Sequence, residues 1–269
     1  KAAKIMASQQ TQHDLTGLVS FTDTVSDAFR QGVVDTLNAM PVGVIDLLKQ
    51  EGWKFEFGSR FLEVAPQMAD RHPPGRPRGV TYDSVGGMSN PHIKTLYTAE
   101  NIFQPWEGQW QKNEHAFGDL RHEIGHAIDA ALDRPSEKAA FRKAHRADVR
   151  AMDDQTLDDF SYYSGTRDTR GPHEAFAETF AAAFGGGCHG TEVAEVMPSA
   201  AGVTKRIVDN FKANRPPLQG VVKTIGETCD ELMHGVTHML DGWRHKSARQ
   251  DQTASNDAGA VQKKRQIPG

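Results

Sequence analysis

The sequence predicts an α+β fold, predominantly helical, with a small mixed β-sheet beside one long helix. Three observations carry that reading. Apolar residues recur at helical spacing in several windows, most clearly over Phe117–Leu132. The segment Trp53-Lys54-Phe55-Glu56-Phe57 alternates strictly, as a half-buried strand does. Gly- and Pro-containing turns punctuate both kinds of segment. The 269 residues are 38% hydrophobic and 25% charged, which is enough to bury a core and too apolar for a disordered tail.

The elements follow in order. Residues 1–21 are polar and weakly patterned, and read as a linker. Val25, Phe29, Val33, Val34 and Leu37 share one helical face. Pro41 opens a second helix through Val44, Ile45, Leu47 and Leu48, and Gly52 stops it. After the Trp53 strand, Arg71–Gly79 is a Pro/Gly-rich loop with three arginines. Gly79–Tyr82 and Ile93–Tyr97 are further strand candidates, the latter offering an exposed edge to an extended peptide. The Phe117–Leu132 helix ends at Arg134-Pro135. Shorter helices are expected at 136–150 and 155–163, and another from Pro172 to Phe184, stopped by Gly185–Gly187. The main domain thus spans 22–215. A C-terminal amphipathic helix (216–248) carries Cys229, His234, His238 and His245, and a polar tail (249–269) follows it.

Charge and length exclude several classes. Lys+Arg number 31 against 35 Asp+Glu, a formal net charge of −4, so no global positive field exists to hold nucleic acid. Apolar runs such as that at Phe180–Phe184 fall well short of the roughly 18 residues a membrane span needs. Two cysteines, Cys188 and Cys229, are too few for a disulfide scaffold or a Cys-based zinc site, and their spacing does not decide whether they are bonded. The chain starts at Lys1 without an apolar signal segment, and reads as a piece of a longer polypeptide.

Chemistry concentrates in His122-Glu123-Ile124-Gly125-His126, an HExxH motif. Histidines four apart share a helical face, so both imidazoles can reach one Zn²⁺. Glu123 then projects beside the ion, where a carboxylate can act as general base on a water. A catalytic zinc needs a third protein ligand and an open position. Glu174 and Glu178, one turn apart on the 172–184 helix, suit a division of labour in which one ligates and the other holds an imidazole N–H. Glu174 is preferred as the ligand because it lies at the helix start, nearer the open end of a cleft. His173, Glu178 and Asp129 are its rivals, and Asp129 is placed to orient an imidazole.

Together, His122–Asp129 (HEIGHAID) and Glu174–Phe180 (EAFAETF) resemble the catalytic domain of anthrax lethal factor-like zinc metalloendopeptidases, of the gluzincin type, over roughly residues 115–185. The resemblance implies a zincin-like fold holding one Zn²⁺ per chain. It makes His122, His126 and Glu174 the ligands and Glu123 the catalytic base, and puts Glu178 behind the metal. It also implies a tyrosine before the third ligand whose hydroxyl supports the oxyanion; Tyr162 and Tyr163 are the candidates, Tyr163 preferred.

The expectation is therefore an endopeptidase acting on a protein or peptide substrate, as a secreted or delivered toxin or effector part of a longer bacterial protein. Alternatives are a zinc-dependent non-peptidase amide hydrolase, such as a side-chain deamidase, or a binding module with a vestigial zinc site. Other features are read as structural. His234, His238 and His245 suit a solvated helix face, and His189 beside Cys188 has no motif partner.

Overall fold

The computed structural model describes residues 12–73, 79–165 and 170–213. The expected 216–248 helix with its histidines and Cys229, the 249–269 tail, the middle of the Arg71–Gly79 loop and the first eleven residues lie outside them. The architecture is α+β, mainly helical, with a small mixed sheet against the motif helix.

Strand β1 (Val19–Phe21) pairs parallel with β2 (Lys54–Gly58), Val19 opposite Phe55. The chain is therefore already in the sheet, with Leu18 buried, inside the segment expected to be a linker. In β2 the alternation works as read: Phe55 and Phe57 are fully buried and Lys54 is exposed. Strands β3 (Gly87–Asn90) and β4 (Thr95–Ala99) are antiparallel to each other, and β4 is parallel to β2, giving the order β1-β2-β4-β3.

Two strand expectations are corrected. Residues 79–82 form no strand; Tyr82–Ser84 is a 3-10 turn, because the Tyr82 ring stacks on Phe61 in the core, with centroids 5.4 Å apart. The Ile93–Tyr97 segment is real as β4, but β2 and β3 flank it on both sides, so every residue of the strand is buried and it offers no edge. The outer strand on the β4 side is β3, whose sequence Gly-Met-Ser-Asn shows no alternation; it forms because β4 supplies a partner, a case of pairing overriding propensity. Strands β5 (Asn101–Gln104) and β6 (Gln109–Lys112) form a separate hairpin that the sequence reading did not identify.

The helices begin with α1 (Asp27–Asn38), whose first turn is capped by the Ser26 hydroxyl accepting from Phe29 N–H at 3.1 Å, and α2 (Val42–Gln50). After a short α3 (Phe61–Val64) comes the long α4 (Ala116–Ala131), then α5 (Ala139–Ala151). The expected 155–163 helix is split at Phe160 into α6 (Asp154–Asp159) and α7 (Ser161–Ser164). Then follow α8 (Arg170–Ala182), α9 (Glu192–Val196) and α10 (Pro198–Lys212). Helix α10 was missed, although Pro198 starts it and Val203, Ile207, Val208 and Phe211 share its buried face. Its first turn is capped from α5: Asp148 accepts from the N–H groups of Ser199 and Ala200 at 3.1 and 2.8 Å.

Helix α4 sits between the sheet and the helical half, packed against β3 and β4 on one side and α8 on the other. Its approach to α8 depends on Gly125, the glycine inside the motif. A Cβ there would come within 2.7 Å of both the Cα and the carbonyl oxygen of Ala177. Gly125→Ala is therefore expected to cost about 1–3 kcal/mol as backbone is forced from backbone, measurable as a lowered melting temperature of the metal-free protein. An unchanged melting temperature would show that the two helices part more easily than this contact allows.

Candidate metal centre and cleft

Spacing of four residues stacks His122 and His126 on the cleft face of α4, their rings 4.7 Å apart and nearly perpendicular. Helix α8 brings Glu174 in its first turns toward them. Its Oε2 lies 3.2 Å from Nε2 of His122 and 3.2 Å from Nε2 of His126. Donors on a tetrahedral zinc with bonds of about 2.0–2.1 Å stand about 3.3–3.4 Å apart, so both histidine–glutamate distances suit such an ion, and all three donor atoms lie within 4.8 Å of one another. The His126 and Glu174 side chains keep 20% and 14% exposure, leaving the set open toward the cleft. His173, a rival for the third position, instead binds Glu137 Oε1 through Nε2 at 2.9 Å.

Glu178 lies one turn deeper and is fully buried. Its Oε2 sits 2.5 Å from Nδ1 of His122, while Oε1 accepts from the backbone N–H of His189 at 2.9 Å. A Cβ on Gly187 would fall 2.4 Å from both carboxylate oxygens, so the 185–190 loop closes over Glu178 only with glycine there. Arg121 ties that loop to α4 by donating Nε–H to the Gly186 carbonyl at 2.6 Å. Burial works against charge on His122, but its hydrogen bonds to Glu174 and Glu178 win and raise its pKa well above the ordinary value. The same contacts hold both glutamates below the usual carboxylate range in spite of their burial. The cluster thus favours positive charge.

Glu123 faces the cleft beneath β3, near Gly87 and Ser89, and burial raises its pKa against His126, His122 and Ser89. Asp129, the other acid considered for orienting an imidazole, makes no hydrogen bond to either ring among the described residues. Its carboxylate accepts from the Ser136 backbone N–H and hydroxyl at 2.8 and 2.6 Å, fixing the turn after α4. Tyr163 is buried at the cleft wall, its hydroxyl 3.7 Å from Cys188 Sγ, whereas Tyr162 is 55% exposed.

The Tyr163 backbone is held from behind. Fully buried His145 donates Nε2–H to its carbonyl at 2.7 Å, while Nδ1 is buried with no partner. Burial lowers the His145 pKa, Arg146 and Arg142 adding to it against the Tyr163 contact and Asp148. The folded chain therefore holds His145 neutral, while in the unfolded chain it titrates near about 6.5. Its stability contribution is complete above that pH and is lost as pH falls toward the depressed folded value. Wild type is expected to lose more stability between pH 7 and pH 5 than His145→Gln, as read by denaturant midpoints. Equal pH slopes would contradict this.

Sequence reasoning missed three contributors to the cleft. Cys188 and His189, read as lacking partners, come to the centre through the 185–190 loop. Cys188 Sγ is 3.6 Å from Glu178 Oε2, and the His189 ring meets Tyr163 edge-on at 5.4 Å. Asp119, one turn before His122, was not singled out although the i,i+3 spacing to the motif was legible. With Gly86, Gly87, Glu123 and Glu174, these residues line a cleft of about 830 Å³.

No family model matches the chain, and no curated protein matches it. Among solved structures, the PRO-PRO endopeptidase PPEP-2 from Paenibacillus alvei is similar at a TM-score of 0.49 and 19% identity, over 70% of this chain and 96% of that one.

Proposed function

We propose that this chain is a zinc-dependent endopeptidase hydrolysing peptide bonds in a protein substrate. The observation that carries the reading is the convergence of His122 Nε2 and His126 Nε2 on Glu174 Oε2, each at 3.2 Å, with Glu123 buried alongside. The resemblance of HEIGHAID and EAFAETF to lethal factor-like endopeptidases points the same way.

His122, His126 and Glu174 would hold the ion, which supplies Lewis acidity to the attacking water and the scissile carbonyl. Glu123 lies outside the ligand set and accepts the water's proton. Its raised pKa suits a group that must hand that proton on to the leaving amine. Glu178 accepts Nδ1–H of His122, which leaves the Nε2 lone pair facing the site. Tyr163 offers a hydroxyl to the developing oxyanion. The extended substrate adds to the outer strand β3, antiparallel to it, with its scissile bond above Glu123. Delivery into a target cell as a toxin or effector belongs to the same reading.

The test is to incubate zinc-loaded protein, wild type and Glu123→Gln, with a complex proteome and to map new N-termini by mass spectrometry. New termini confined to wild type support the proposal. Intact backbones with shifted side-chain masses would replace it by side-chain amide hydrolysis, and no change of either kind would overturn it.

A further inference from the structure

Asp119 has no part in the chemistry above, yet it lines the cleft beside it. It stands three residues before His122 and four before Glu123, on their face of α4. Its Oδ2 accepts from Asn113 Nδ2 at 2.8 Å. The other oxygen is neither fully buried nor hydrogen-bonded, and no lysine or arginine pairs with the carboxylate among the described residues. Gly86, Gly87 and Cys188 line the cleft with it, and the carboxylate fits against Gly86 because that residue has no Cβ, which would fall 2.0 Å from Oδ2.

We propose that Asp119 selects substrates carrying lysine or arginine next to the scissile bond. This rests on the endopeptidase reading and names a substrate class for it. Gly87 lies over both Asp119 and Glu123, while Ser89 reaches Glu123 alone. A peptide antiparallel to β3 therefore sets the side chain following the scissile bond against Asp119. Burial raises this carboxyl's pKa against the Asn113 hydrogen bond and the nearby His122 and His115; an arriving ammonium or guanidinium adds a charge-assisted hydrogen bond. Such a bond is expected to favour a basic residue over an uncharged one of similar length by about tenfold to a hundredfold in kcat/KM.

The experiment profiles cleavage of a proteome-derived peptide library by zinc-loaded wild type and Asp119→Asn, with melting curves to show that the variant folds. Beside it, peptides from the same library are retained on immobilised, zinc-loaded Glu123→Gln, with and without Asp119→Asn. Enrichment of lysine and arginine after the cleaved bond, collapsing in Asp119→Asn, upholds the proposal. Cleavage by wild type without that enrichment overturns it and leaves the endopeptidase reading standing, as does enrichment that survives in a folded Asp119→Asn. If nothing is cleaved, the hydrolytic reading fails by itself, and retention then decides: Asp119-dependent capture of basic peptides upholds the selectivity, and indifferent capture ends it.

Discussion

Replacing Glu123 with glutamine is expected to leave one zinc per chain and to slow peptide hydrolysis by about 10²–10⁴-fold, the usual contribution of a positioned general base. The three converging donors belong to His122, His126 and Glu174, so the ligand set survives the change. Glutamine keeps the volume beneath β3 and can still meet Ser89, so the fold has no reason to respond. What is lost is a lone pair basic enough to take a proton from water. Zinc stoichiometry by elemental analysis, alongside the rate on any peptide the wild type cleaves, checks both halves. Undiminished hydrolysis by the zinc-loaded variant would remove Glu123 from the mechanism.

The second large effect separates the two glutamates of α8. Glu174→Ala takes away one of three donors, and Glu178→Gln takes away only the carboxylate against Nδ1 of His122. Loss of such a supporting partner typically weakens metal binding by about 10–100-fold, and loss of a donor should exceed that. Zinc titration against a competing chelator is therefore expected to rank wild type tightest, Glu178→Gln next and Glu174→Ala weakest. The reverse order would exchange the roles assigned to the two residues. Affinity should also rise with pH in the wild type, since the ion must displace the proton that Glu174 and Glu178 stabilise on His122.

These expectations were partly legible in the sequence because their residues report on local geometry. His122, Glu123 and His126 lie within two helical turns, and the pairing of Glu174 with Glu178 has the same periodicity, so a helix alone dictates which atoms share a face. Phe55 and Phe57 announced β2 by the same logic with a period of two. Contributions fixed by distant partners left weaker traces. Strand β3 has one large apolar residue, Met88, and owes its existence to β4. Cys188 and His189 reach the cleft because Gly187 lets a loop settle on a carboxylate that the sequence alone cannot locate. Asp129 looked suited to an imidazole on spacing, but the nearby Ser136 offers two donors and takes both oxygens.

Through Gly125, helix α4 meets the Ala177 backbone of α8 directly. That contact sets His122 and His126 on one helix beside Glu174 on the other, so the proposed metal pocket would be preassembled rather than drawn together around its guest. Chelation should then empty the centre without melting the molecule, in contrast to small zinc modules whose folding waits for metal.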